Sequence, residues 1–218
     1  MRTQTKWSIL PAALLALGTL AMAQSQAPAQ GSGSSAGSTT SAAPDPTVGQ
    51  RKENQQDRIA NGVQSGQLTS GETSNLENKE AAINGETRAD RAANGGKLTS
   101  GEKSQINTQQ NQVSKQIYQD KHNANTAQYG NNPVGQRRAN QQARIANGIR
   151  SGQLTAGETS KLENQQHAIT KQVSADRSAN GGKLTTAEKK QVNHQQNQAS
   201  RNIYNKKHNG ATQPNAKK

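Results

Sequence analysis

The sequence of 218 residues contains no cysteine and no phenylalanine, and aromatic residues make up only 2% of it. The absence of cysteine excludes a disulfide scaffold, a zinc ribbon and an iron–sulfur cluster. Apolar residues account for 28% of the chain, well below their usual share in globular domains. Gln, Asn, Ser, Thr and Gly take their place, so the chain cannot bury a large core and cannot form a membrane-spanning bundle.

Motifs for catalysis are also missing from the sequence. There is no cysteine nucleophile, no Gly-x-Ser-x-Gly elbow and no phosphate-cradling loop. Ser, Asp and His never fall into an ordered constellation. We therefore expect a protein that is not an enzyme and has no small-molecule substrate.

The first 23 residues are typical of a secretory signal peptide. Arg2 and Lys6 precede an apolar run over 9–20, and Ala21-Met22-Ala23 forms a small-x-small cleavage site. The run is shorter than the ~20 residues needed to span a bilayer. We predict export to a bacterial periplasm or exterior, with cleavage near Ala23, which leaves 25 basic and 14 acidic residues and a net charge of +11.

An internal duplication dominates the rest of the chain. Residues 50–123 align without a gap with residues 136–209, at an offset of 86, and about two-thirds of the positions are identical. Before the first copy, residues 24–49 are rich in Ala, Ser, Gly and Pro and predict a disordered linker. A turn-rich connector over 124–135 joins the copies, and a basic tail covers 210–218.

The pattern Leu-Thr-x-x-Glu occurs four times and is typical of a capping box. In a capping box, the Thr side chain accepts from the amide three residues later, while the Glu side chain accepts from the Thr amide. A Gly two residues before each Leu suits the left-handed end of a preceding helix. The predicted pairs are Thr69/Glu72, Thr99/Glu102, Thr155/Glu158 and Thr185/Glu188.

Apolar residues recur at helical spacings between these caps. In the first copy they predict three helices near 50–64, 70–93 and 100–122. The fold class is therefore all-α, with two tandem three-helix units. Because the fourth helical residue after each cap is polar, we expect the cap-side leucines to pack loop against loop.

Gly-x-Leu-Thr-x-x-Glu between two helices resembles the second half of an EF-hand calcium loop. The matching residues are Gly66, Leu68 and Glu72; Gly96, Leu98 and Glu102; Gly152, Leu154 and Glu158; Gly182, Leu184 and Glu188. The resemblance implies degenerate EF-hand-like helix–loop–helix units whose loop leucines touch. The first half of each loop lacks the oxygen ligands, so no metal is assigned and calcium at the four glutamates is a weak alternative.

Both copies close on Ile-Tyr-x-x-Lys-His-Asn, at 117–123 and 203–209. We interpret this ending as a helix C-terminus that Asn terminates, with Tyr closing the small core; His122 and His208 as ligands for a metal or an anion are the alternative. Together with Arg-Ile-x-x-Gly-x-x-Ser-Gly-x-Leu-Thr-x-x-Glu, the ending resembles uncharacterised exported bacterial tandem helical-repeat proteins. That resemblance implies export and helical repeats and carries no activity.

Positive charge gives the remaining functional indication. A basic surface attracts nucleic acid, anionic phospholipid and other polyanions. The sequence therefore favours an exported binding or structural protein that engages an anionic polymer or membrane surface. An EF-hand-like cation-responsive protein and a stress-related scaffold that orders on self-association are the alternatives. The candidate anion-binding residues are Arg51, Lys52, Arg58, Arg91, Arg137, Arg138, Arg144, Lys189 and Lys190.

Overall fold

A computed structural model describes residues 47–213, which form six α-helices and no strands. The helices are α1 (Val48–Ser65), α2 (Ser70–Ala93), α3 (Ser100–Lys121), α4 (Pro133–Arg150), α5 (Ala156–Ala179) and α6 (Thr186–Lys207). The all-α prediction is confirmed for this part of the chain. The predicted signal peptide, most of the linker and residues 214–218 lie outside the described residues.

Helix lengths follow the order 18, 24 and 22 residues in both halves of the described chain. The bounds of α1, α2 and α3 lie within two residues of the sequence prediction. Thr47 to Gly49, assigned to the linker from sequence, are instead the N-cap and first residues of α1. Thr47 and Gln50 form a capping box in which Gln replaces Glu, so the same physical device starts this helix with a weaker sequence signature.

The apolar core is thin and runs through both halves. One cluster joins α1, α2 and α3 to parts of α4, α5 and α6, and a smaller cluster lies within the second half. The larger cluster contains Ile59, Ala60, Val63, Leu68, Leu76, Ile83, Ile106, Val113, Ile117, Ile145, Ala146, Ile149, Leu154, Leu162 and Ile203. The smaller contains Val134, Ile169, Val173, Leu184, Val192 and Ala199.

Buried glutamines pack beside the apolar side chains and add to the core. Gln55 donates from Nε2 to the backbone oxygen of Gln110 at 2.6 Å, and Gln110 donates to the oxygen of Val48 at 2.9 Å. Gln141 and Gln196 make the same bonds in the second half, at 2.7 and 2.9 Å. Since a buried amide is tolerated when it is hydrogen-bonded, these glutamines tie α3 to α1 and α6 to α4.

The two halves meet mainly where α2 packs on α5 and α1 packs on α4. Ser74 and Ser160, 86 positions apart, meet with their Oγ atoms 3.0 Å apart at the crossing of α2 and α5. Ser74 also donates to Asn164 Oδ1 at 2.9 Å, and Ser160 donates to Asn78 Oδ1 at 2.6 Å. Equivalent residues therefore contact each other, as at a two-fold interface.

The leucines before the caps pack inward. Leu68 and Leu154 are buried, and each lies over a helical glycine, Gly62 or Gly148. Leu154 and Leu184 belong to different core clusters, so the expected loop-against-loop leucine contact is wrong for the second half. The physical reason is that a helical glycine leaves a recess one turn from the loop, which the leucine fills.

The loop between the first and second helices of each half is hydrogen-bonded to the segment that follows the third helix of that half. The amide of Ala127 donates to the oxygen of Gly66 at 2.8 Å, and the amide of Gln213 donates to the oxygen of Gly152 at 2.9 Å. Gly66 and Gly152 have φ values of 73° and 67°, in the left-handed region that favours glycine.

We predict that Gly62→Ala destabilises the fold despite the higher helix propensity of alanine. A Cβ at this position would lie 2.6 Å from Cγ and Cδ1 of Leu68. Overpacking of this kind costs roughly 1–3 kcal/mol, against about 1 kcal/mol gained in propensity. Urea unfolding should show a lower midpoint for Gly62→Ala.

Gly85→Ala is the matched control, because Gly85 is also helical and a Cβ there meets nothing within 4 Å. This variant should be more stable than the wild type by roughly 0.5–1 kcal/mol. Equal stabilisation by the two alanines would contradict the packing argument.

Candidate functional site

The four Thr-x-x-Glu pairs begin α2, α3, α5 and α6 and bind in both directions. In each pair the Thr Oγ1 accepts from the Glu amide at 3.3 Å. The Glu Oε2 accepts from the Thr amide at 2.9, 2.7, 3.1 and 2.7 Å for Glu72, Glu102, Glu158 and Glu188. These carboxylates therefore hold helix starts.

The other oxygen of two capping glutamates binds the Lys-His-Asn ending. Asn123 donates to Glu72 Oε1 at 2.8 Å, and Asn209 donates to Glu158 Oε1 at 2.5 Å. Partial burial alone would raise the pKa of Glu72, but the hydrogen bonds from Thr69 and Asn123 outweigh it and lower that pKa. Sequence reasoning missed this contact between two motifs that lie 51 residues apart.

The aromatic ring of the ending lies outside the core. Tyr118 and Tyr204 are 60% and 57% exposed, so the expectation that Tyr closes the core is wrong. Each ring stacks on a histidine one turn later, with 4.2 Å between the ring centroids of Tyr118 and His122 and the same distance for Tyr204 and His208. The histidines, not the asparagines, are the C-caps of α3 and α6.

Oxygen and nitrogen ligands for a metal are scattered among the described residues. No group of three or more His, Asp or Glu that could hold a metal ion occurs in residues 47–213. Glu102 and Glu188 also accept from Asn94 and Asn180, so the capping glutamates have donors at both oxygens. Nor is any helix in the described part of the chain long and apolar enough to cross a membrane.

The nine candidate anion-binding residues do not form one surface. Lys52 and Arg138 are buried, at 7% and 9% exposure, so neither belongs to the outer surface. Four arginines pair with neighbouring polar groups of α3 or α6: Arg51 with Asn111, Arg58 with Ser114, Arg137 with Asn197 and Arg144 with Ser200. Arg91, Lys189 and Lys190 are exposed.

Residues from both halves line a cleft of about 480 Å³ that contains Arg138. The start of α2 and residues 126–128 of the connector form one side, and α5 forms the other. Arg177 and His167, neither of which was a candidate from sequence, line it with Arg138. Hydroxyl groups supply much of the remaining wall: Thr69, Ser70, Thr126, Thr170, Ser174 and Ser178.

Three carboxyl groups lie inside the molecule close to the contact between the halves. Glu77, Glu80 and Glu163 have no exposed surface. Glu77 accepts from Gln56 at 3.1 Å, and Glu163 accepts from Gln142 at 2.9 Å.

Burial sets the titration of these groups. It raises the pKa of Glu80 to about 7, against the attraction of Lys52, and raises the pKa of Glu163 to about 7, against hydrogen bonds from Gln142 and Ser70. Burial raises the pKa of Glu77 well above its usual value; a hydrogen bond from Gln56 opposes the shift, and the neighbouring carboxylates Glu80 and Glu163 add to it.

Comparison of the chain with protein-family models, with curated proteins and with solved structures finds no match. The geometry of the described residues therefore carries the functional argument.

We predict that Asn209→Ala weakens the fold by about 1.5–3 kcal/mol, the range for a hydrogen bond to a charged group. The loss should appear as a lower urea midpoint. Asn205→Ala is the control, since Asn205 is an exposed asparagine in the last turn of α6, four residues before Asn209. In a Glu158→Gln background the effect of Asn209→Ala should shrink; an undiminished effect would show that the two side chains are not coupled.

We also predict that stability falls as pH rises from about 4.5 to about 7. In this window the unfolded chain ionises Glu163 while the folded chain keeps it protonated, so the unfolded state binds fewer protons. Each such carboxyl contributes a slope of about 1.4 kcal/mol per pH unit. Above the folded pKa the slope disappears.

Glu163→Gln removes one titrating group while keeping the side-chain shape. Urea unfolding between pH 4.5 and 8 should give a flatter profile for this variant and higher stability than the wild type at pH 8. Identical slopes for Glu163→Gln and the wild type would contradict the assignment.

Proposed function

We propose that this protein is an exported, non-enzymatic binding or structural protein of the bacterial envelope or exterior that engages anionic surfaces or polymers through its basic helices. The proposal includes cleavage of the N-terminal signal near Ala23. It assigns no reaction to the chain, because the sequence has no cysteine nucleophile and no elbow or phosphate-loop motif.

The unequal exposure of acidic and basic side chains carries the proposal. Every Asp and Glu in residues 47–213 is buried or half-buried. Most Lys and Arg side chains in the same range are exposed: Lys79, Arg88, Arg91, Lys97, Lys103, Lys115, Arg137, Arg150, Lys161, Lys171, Lys183, Lys189, Lys190 and Arg201. The outer surface of the described residues is therefore more basic than their total of 23 Lys and Arg against 13 Asp and Glu suggests.

Seven of the acidic side chains are withdrawn from the surface because they have structural roles. Glu72, Glu102, Glu158 and Glu188 begin helices, and Glu77, Glu80 and Glu163 lie inside. The exposed cations are distributed over both halves, an arrangement that favours long anionic partners over a single small ion. The field of such a surface would steer a polyanion to it from any side.

We also propose that the six helices are two tandem copies of one three-helix unit. Equal helix lengths and hydrogen bonds that recur 86 positions apart support this arrangement. The EF-hand likeness extends to the helix–loop–helix order, the left-handed glycines and the capping glutamates.

A salt titration tests the proposed function. Binding to a DNA duplex and to vesicles containing anionic phospholipid should weaken steeply as salt rises, because counterions are released when cations neutralise phosphates. Lys189→Gln with Lys190→Gln removes two exposed charges and should lower the affinity and the salt slope, by about 0.9 per lost phosphate contact on DNA. Replacing both lysines by arginine should preserve binding.

The outcomes separate the possibilities. If neither DNA nor anionic vesicles bind at low salt, the proposed function is wrong. Binding that does not depend on salt would also overturn it, since the attraction would not be electrostatic.

A further inference from the structure

The cleft between α2, the connector and α5 holds two guanidinium groups with few partners. Arg138 is nine-tenths buried and Arg177 is half-buried, and both line the cleft. Arg138 donates to the oxygen of Gln128 at 3.5 Å, and its Cζ lies 5.4 Å from the ring centre of Tyr129. Arg177 donates to Asn132 Oδ1 at 3.3 Å.

Those contacts leave most of the donor capacity of both side chains unused. A guanidinium carries five N–H donors, and the described residues accept one hydrogen bond from each of these arginines. No carboxylate oxygen within residues 47–213 lies within 4.0 Å of either group. None of the nitrogens of Arg138 or Arg177 is enclosed by protein without a partner, so the remaining N–H groups are open to the cleft.

Electrostatics within the cleft point the same way. Burial lowers the pKa of Arg138, and the positive charge of Arg177 adds to that effect, so the two cations repel each other. Tyr129 and then Glu163 act in the opposite direction, and burial keeps Glu163 largely protonated below about pH 7. An anion between the guanidinium groups would relieve the repulsion.

The rest of the wall indicates what the anion would be attached to. Six of its thirteen lining residues carry a hydroxyl group, while apolar atoms supply slightly more of the lining surface than polar atoms do. Thr69, Thr170 and Ser178 already donate their hydroxyl protons to protein oxygens, so toward a ligand these groups act as acceptors. At about 480 Å³ the cleft exceeds the size of a single oxyanion. A sugar ring, with hydroxyl groups at its edge and C–H groups on its faces, matches such a mixed lining.

We propose that this cleft binds a phosphorylated sugar unit, with Arg138 and Arg177 holding the phosphate and the serine and threonine hydroxyls facing the sugar. Arginine suits this role because its planar fork donates two parallel hydrogen bonds to phosphate. The same chemistry occurs in a free sugar phosphate and in a repeating unit of an anionic polymer. The inference rests on the proposed function only if the ligand is the polymer.

The probes for a test are glucose 6-phosphate, inorganic phosphate and glucose, compared by calorimetry with the full-length protein at fixed ionic strength. Glucose 6-phosphate should bind saturably, inorganic phosphate at least several-fold more weakly, and glucose not at all. Glucose binding as tightly as its phosphate would overturn phosphate recognition, and the absence of binding by both phosphates would overturn the site.

Arg177→Gln should reduce the affinity for glucose 6-phosphate at least tenfold, while Arg177→Lys should give a smaller loss. Arg201→Gln is the control, because Arg201 is exposed on α6, lies outside the cleft and is not among the nine candidate anion-binding residues. Equal losses in Arg177→Gln and Arg201→Gln would show that only overall charge matters and would contradict the proposal.

Arg177 also contacts the N-cap of α4, so a second pair of variants avoids that helix start. Ser174→Glu places a carboxylate in the cleft at an exposed position of α5 and should abolish binding of glucose 6-phosphate. Ala168→Glu adds the same charge at an exposed position on α5 outside the cleft and should preserve it. The reverse pattern would overturn the site.

These measurements are separable from the salt titration of DNA and vesicles. Salt-dependent polymer binding without saturable glucose 6-phosphate binding would retain the proposed function and reject the cleft. If the protein binds glucose 6-phosphate saturably but binds no polymer, the cleft is a site for a free sugar phosphate. The proposed binding of an anionic polymer is then wrong.

Discussion

The crossing of α2 over α5 is the contact on which the rest of the structure depends. Two serines, Ser74 and Ser160, meet there, and the shortness of their side chains lets the two helix backbones approach closely. This approach brings the start of α2 to the side of α5 and so forms the cleft around Arg138. It also withdraws Glu77 and Glu163 from water, although both residues lie on helices with little apolar character of their own.

A second constraint is the shortage of apolar side chains, which the molecule offsets by using polar groups as structural connections. Gln55 and Gln141 reach backbone oxygens of α3 and α6 in the positions where larger cores have leucine or phenylalanine. Asn123 and Asn209 close the other end of each half on a capping glutamate. The acids are thereby drawn inward or onto helix ends, and the exterior is left to lysine and arginine.

Much of the helical framework could be predicted because its signals are local. Thr69 and Glu72 lie three residues apart, and a capping box needs nothing beyond that spacing and an extended N-cap residue. The positive φ of Gly66 is likewise a property of one turn. For this reason the helix starts and ends lie close to the positions expected from sequence.

The cleft and the buried charges could not be predicted because they arise from contacts between distant residues. Arg138 and Arg137 are adjacent arginines in the sequence, yet one is buried and the other exposed. Which of them enters the molecule depends on the direction in which α4 presents its face to the connector, and the linear sequence carries no mark of it. From the sequence we expect Tyr118 in the core, but its ring is exposed and stacks on His122, four residues later on the same side of the helix end.

The position of Gln213 has a consequence for the order in which the chain assembles. Its side chain donates to Gln56 in α1 across a sequence separation of 157 residues, and its backbone fastens the loop at Gly152. The first half receives its equivalent bond from Ala127, 86 residues earlier. During synthesis from the N-terminus the first three helices can therefore complete their own closure once residue 127 has emerged, whereas the second set and the joint between the two require residue 213.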